Sequence, residues 1–198
     1  MLCRMMDHGA PVDVSLIDPD PAELRLGNHQ SAKDHDGFIW KKVAADVVTG
    51  RSITFEASHA ESIKRLRISP LRVVRGSKLR IIHDLSFSPA HNRISVNHLT
   101  DFEQAPRVGL GHVLPDVLNR IMYLRQRFGP LAHIGMSKVD VKDAFRQIRV
   151  DPAGAPAFGY RLDNTVVVDL RLQFGWRSSP GFWGLAAAVL EHAHNHTS

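Results

Sequence analysis

With 198 residues, 43% of them hydrophobic, the chain is long enough for a packed domain and unlike a disordered polymer. No apolar run reaches bilayer length, Met1 to Val12 has no signal-type apolar stretch, and the single cysteine, Cys3, excludes an internal disulfide or a cysteine-rich zinc site. The net charge of +5 is uneven: residues 1–36 hold seven acids and three bases, whereas residues 64–80 hold seven bases and no acid.

Taken in chain order, residues 1–30 are proline-marked with little periodicity and read as a leader. Phe38 to Val48 suits a short helix with Ile39, Trp40, Val43, Ala44 and Val47 on one side, ended by Thr49-Gly50. The basic run 64–80 alternates with Ile68, Leu71, Val73, Val74, Leu79, Ile81 and Ile82. That pattern predicts strands at Arg72–Val74 and Lys78–His83, joined by a turn at Arg75-Gly76-Ser77. A basic run repels itself unless anions lie beside it, and phosphate is the usual partner; a solvated basic face is the plain alternative. Residues 84–110 read as a loop-rich connection. Gly111 to Phe128 has the clearest helical spacing, stopped by Gly129-Pro130. Ile134–Val141 reads as a strand, Ala157–Leu162 and Val166–Leu172 as a hairpin around Asp163-Asn164, and Gly181 to His194 as a second strong helix. Strands segregated from helices predict an α+β architecture, a sheet with helices packed on it.

Two stretches carry candidate chemistry. In Ser137-Lys-Val-Asp-Val-Lys-Asp-Ala-Phe-Arg-Gln-Ile148, an apolar segment ends at Asp140 and a second carboxylate, Asp143, follows three residues on. Carboxylates at a strand end can hold Mg²⁺, which prefers oxygen ligands; the same spacing also suits Asp143 as a helix cap and Asp140 as a lysine partner. In Leu172-Gln-Phe-Gly-Trp-Arg-Ser-Ser-Pro180, the glycine permits a close backbone approach and Ser178 or Ser179 can cap the helix that Pro180 opens; an ordinary strand-to-helix connection fits equally. His192 and His196 share a helical i, i+4 spacing that suits Zn²⁺ or a helix C-terminus.

A basic hairpin, an aspartate-ended segment, a hairpin and F-G-W-R-S-S-P, in that order, resemble the reverse transcriptases of retroelements. The resemblance is greatest to those of tyrosine-recombinase (DIRS-like) retrotransposons and runs from about Ile68 to the C-terminus. It implies the fingers and partial palm of a right-hand polymerase, with residues 1–60 as leader and 61–198 as the polymerase part. It implies Asp140, with the Val141 backbone, as ligands of Mg²⁺ in two-metal nucleotidyl transfer. Asp143, Ala144 and Phe145 would line the nucleotide pocket, Phe145 as the steric gate under the sugar. Arg80, with Lys78 and Arg72, would reach the triphosphate, and Asp84 could orient Arg80. Phe174, Gly175 and Trp176 would support the nucleotide, Phe174 standing where retroviral enzymes usually carry glutamine. Lys64, Arg65, Arg67 and Arg75 would meet the nucleic-acid backbone. The implied partners are an RNA/DNA primer–template and a deoxynucleoside triphosphate, with no membrane and an intracellular location. The family's Y-x-D-D hairpin has no counterpart in residues 181–198, where Glu191 is the only acid, so this chain alone is expected not to polymerise DNA. A non-catalytic nucleic-acid-binding remnant is the alternative.

Overall fold

The computed structural model describes residues 1–17, 21–88, 94–100, 106, 113–136 and 140–196. Two compact units are present, one built from residues 1–106 and 143–198, the other from residues 107–142.

The larger unit opens with α1 (Leu2–His8), α2 (Gln30–Lys33) and α3 (Asp36–Val48). In α3, Ile39 and Val43 lie one turn apart and are buried, and Gly50, at φ +63°, takes the left-handed conformation that ends it. Then come β1 (Ser52–Glu56), β2 (Leu71–Arg75), β3 (Leu79–His83) and a short α4 (Val96–Leu99). In the smaller unit, α5 (Val113–Phe128) carries Arg125 and Arg127 in its last turn, where cations complement the helix dipole. The Arg125 guanidinium donates to the Pro130 carbonyl just past the helix end. Back in the larger unit lie β4 (Gly159–Leu162), β5 (Thr165–Asp169) and α6 (Ser179–His196).

All strand pairing is antiparallel: β2 with β3, and a three-stranded sheet in the order β1-β5-β4. The fold class is therefore α+β. Central β5 reads Val-Val-Val and is buried on both faces, as a strand flanked and covered on all sides should be. Asp163, at φ +49°, turns the two-residue β4–β5 hairpin. Between β2 and β3, the face carrying Leu71, Val73, Ile81 and His83 turns inward onto Ile39, Val43 and Tyr160. The opposite face presents Arg72, Val74, Arg80 and Ile82.

Two expectations change. Residues 1–60 are not a separate leader. Met5, Ala10, Val14 and Ile17 share one buried cluster with Phe158, Trp176 and Phe182, and β1 supplies an edge of the three-stranded sheet. Gly9, at φ +94°, lies so close to Val150 that a Cβ would stand 2.6 Å from its carbonyl carbon. These contacts depend on single well-placed apolar residues, which leave no period in the sequence. Secondly, Ile134–Val141 forms no strand in its described residues, 134–136 and 140–141; Gly135 contributes no side chain to a pleated surface.

Candidate nucleotide and nucleic-acid interface

The basic hairpin is built as a two-faced ribbon. In register, Arg72 faces Ile82 and Arg80 faces Val74, so both guanidinium groups lie on the outer face. Lys78 is exposed in the turn, and Arg75 is exposed with its guanidinium 3.2 Å from His35 Nε2. Asp84 pairs with Arg72 at 3.3 Å and with His29 at 2.9 Å, so its partner is Arg72 and not Arg80. Lys64 and Arg65 are exposed, the latter at φ +61°. Arg67, expected to meet nucleic acid, is instead buried. Its Nε lies 2.9 Å from Glu23 and its Nη2 donates to the Ile94 carbonyl at 3.1 Å. One member of the basic run thus anchors the base of the hairpin to the N-terminal segment.

The F-G-W turn is fastened to the end of β3. The His83 amide donates to the Phe174 carbonyl at 3.1 Å, and Gly175, at φ +118°, packs against the His83 carbonyl so closely that a Cβ would stand 1.8 Å from it. The close approach that this glycine permits is therefore to β3. Asn97 clamps the turn from the other side: its amide donates to the Gly175 carbonyl at 2.7 Å and its oxygen accepts the Arg177 amide at 2.9 Å. Ser179 Oγ donates to the Gln173 carbonyl at 2.9 Å, tying the start of α6 to the same turn.

Phe174 is half exposed and its ring meets that of Phe145 at 5.0 Å between centroids, tilted by 49°. Two of the three aromatic residues expected at the nucleotide pocket are thus brought together. Trp176 is not available to a nucleotide. It is buried, stacks on Phe182 at 5.5 Å, meets Phe158 edge-on and donates its N–H to Thr100. Beneath the turn, buried His83 has Nδ1 2.6 Å from Gln173 Oε1 and Nε2 3.1 Å from the Gly159 carbonyl. Burial holds its pKa below the ordinary histidine value, outweighing Asp169 and the hydrogen bonds with Gln173, Gly159 and Ser69, which act the other way.

Asp143 and Ala144 open the short 3-10 turn Ala144–Gln147 that presents Phe145. Asp143 sits at φ +53° and makes no side-chain cap; its carboxylate lies 3.6 Å from Arg51. Arg51 also lies 3.8 Å from Asp46, and Asp46 accepts from Arg146 at 2.8 Å. Arg146 in turn donates to Asp169 at 2.9 Å, and Ser52 Oγ donates to the same carboxylate at 2.6 Å. Burial works against the Arg146 charge, but Asp169 and Asp46 overcome it and hold the guanidinium's pKa above its usual value. Burial and the Asp169 charge push the Tyr160 phenol well up. This network escaped the sequence reading because its partners lie 100 residues (Arg146–Asp46) and 117 residues (Ser52–Asp169) apart.

Asp140, the expected catalytic carboxylate, is exposed and Val141 half-buried; both belong to the smaller unit. Mg²⁺ is commonly held by one or two carboxylates with waters and substrate phosphates completing six oxygens, so Asp140 and an adjacent backbone carbonyl would be part of such a shell. Among the described residues, no group of three or more His, Cys, Asp or Glu side chains is placed to hold a metal ion. The described residues thus bring one carboxylate, Asp140, to such an ion, and a second would have to come from elsewhere. No described helix is long and apolar enough to cross a membrane. The side chain of His196 lies outside the described residues.

No protein-family model and no curated protein matches the chain. Among solved structures, a foamy viral protease–reverse transcriptase (dRH form) in complex with double-stranded DNA is similar over 92% of this chain, with a TM-score of 0.56 and 14% identity. A second foamy viral protease–reverse transcriptase complex with double-stranded DNA aligns over 94% of the chain, with a TM-score of 0.49 and 16% identity. The chain spans 27% of the first of these proteins and 33% of the second. At this identity the first likeness is one of fold: the chain has a reverse-transcriptase-like α+β fold.

Proposed function

We propose that this chain is the fingers and partial palm of a retroelement RNA-directed DNA polymerase, related to those of tyrosine-recombinase (DIRS-like) retrotransposons. The observation that carries this reading is the fold likeness to a protease–reverse transcriptase over 92% of the chain. The motif order supports it, as does a structure in which Phe174, on a turn hydrogen-bonded to the end of the basic hairpin, meets the ring of Phe145. In this reading Arg72, Lys78 and Arg80 bind triphosphate oxygens as charge-assisted donors. Lys64, Arg65 and Arg75 follow the primer–template backbone. The Phe145–Phe174 pair, with Asp143, Ala144 and Gly175 around it, receives the sugar and base of a deoxynucleoside triphosphate. Nucleotidyl transfer belongs to the complete domain, where Asp140 and the Val141 carbonyl would join further carboxylates around Mg²⁺, which supplies charge stabilisation when bound.

Fluorescence anisotropy with a labelled RNA–DNA hybrid tests the reading. Affinity is expected to fall steeply as salt rises, and a deoxynucleoside triphosphate is expected to bind the hybrid-bound chain in a manner weakened by Arg80→Ala. Hybrid binding without any triphosphate binding would favour the non-catalytic remnant. No hybrid binding at physiological salt would remove both.

A further inference from the structure

Residues 148–150 and 170–172 form a short antiparallel contact outside the named strands. The Val150 amide donates to the Leu170 carbonyl and the Leu172 amide to the Ile148 carbonyl, each at 3.0 Å. These two bonds flank Arg149 and Arg171, which face each other directly at a non-hydrogen-bonded position. Cross-strand Cβ atoms there are about 4.5–5.5 Å apart and share one face. Ile148, Val150 and Leu172 turn into the core, so both arginines point to the opposite face.

Two like charges so placed destabilise the pairing, and a neighbouring carboxylate is the usual remedy. Among the described residues neither arginine is ion-paired, although Asp7 and Asp151 line the cavity beside Arg149. Arg149 donates to the Met6 carbonyl at 3.1 Å and Arg171 to the Gln147 carbonyl at 3.4 Å. The Arg171 Nε–H is withdrawn from solvent with no acceptor. Burial, then the charges of Arg149, Arg51 and Arg146, depress the Arg171 pKa, so the local field is positive. A cavity of about 430 Å³ beside α1 opens onto Arg149; Arg4 and His8 line it too, as do Asp7 and Asp151, whereas Arg171 lies outside its lining.

We propose that Arg149 and Arg171 form a binding site for a phosphate group. A dianion between two guanidinium forks would neutralise the opposed charges and supply an acceptor for the Arg171 Nε–H. The site is separate from the basic hairpin and does not depend on the polymerase reading. The phosphate can belong to a free inorganic ion or to a nucleic-acid backbone.

NMR of the full chain, tracking the arginine Nε–Hε resonances during titration with sodium phosphate, tests the site, with sodium chloride at matched ionic strength as control. A saturable shift of the Arg171 Nε–Hε resonance with phosphate alone is expected. Arg149→Gln is expected to weaken binding by about tenfold, and Arg171→Lys, which keeps the charge but loses the fork, by a smaller factor. The absence of a saturable shift, or the same shift with chloride, overturns the proposal; this wild-type result decides even if a variant fails to fold. Addition of a short RNA–DNA hybrid then assigns the source. Displacement of phosphate, with a salt slope that falls by about one in Arg149→Gln, identifies a backbone phosphate. Retention of bound phosphate beside the hybrid identifies a free ion.

Discussion

Replacement of Asp169 by alanine removes one of two carboxylates that hold the buried Arg146 guanidinium. Arg146 and Asp169 have side chains 15% and 8% exposed and stand 2.9 Å apart, so solvent screens this pair little. Loss of one partner from a buried pair costs about 3–5 kcal/mol, mostly because the remaining charge is stranded. Arg146 keeps Asp46 at 2.8 Å, which places the loss near the lower end, about 3 kcal/mol. Ser52 Oγ also loses its acceptor, which adds about 1 kcal/mol. With a urea m-value of about 2 kcal/mol/M, the midpoint of equilibrium unfolding should fall by about 2 M. The apolar double variant Arg146→Met with Asp169→Leu should be more stable than Asp169→Leu alone, because no guanidinium is then left buried and Asp46 retains Arg51. A loss below about 1 kcal/mol for Asp169→Ala, or strict additivity in the double variant, would refute this account of the network.

Gly175→Ala places a Cβ against the His83 carbonyl at a backbone angle that favours glycine; a loss of more than about 3 kcal/mol is expected, read as a drop in the thermal midpoint. Burial depresses the His83 pKa, so the unfolded chain binds the additional proton below about pH 6.5 and stability should decline as pH falls through that range. Urea midpoints between pH 7.5 and 5 measure this, and an NMR titration showing His83 protonated at or above pH 6.5 would contradict it. Lys64→Ala with Arg65→Ala should reduce the salt slope of hybrid binding by about two if both reach backbone phosphates, with little change in stability because both side chains are exposed.

Local signals read correctly at most elements, the strand expected at Ile134–Val141 excepted. The helix at Asp36–Val48, the basic hairpin, the Asp163-Asn164 turn and the long C-terminal helix all follow from spacing and turn chemistry. The outer face of the hairpin was legible too, since alternation alone separates Arg72 and Arg80 from Leu71 and Val73. Long-range contacts were not. Arg67 looks like its basic neighbours until Glu23, 44 positions earlier, is seen beside it. Trp176 reads as a ligand platform until Phe158 and Phe182 close around it. Asn97 lay in a segment read as connection and proves to be the clamp on the F-G-W turn.

The position of β1 has a practical consequence. Strand β5 is bordered by β4 on one side and by residues 52–56 on the other. A recombinant fragment begun at residue 61, the boundary that the family resemblance implies, would therefore expose a row of backbone donors and acceptors along Val166–Val168. Such a bare margin invites pairing with a foreign strand, so the fragment should aggregate where the longer chain does not.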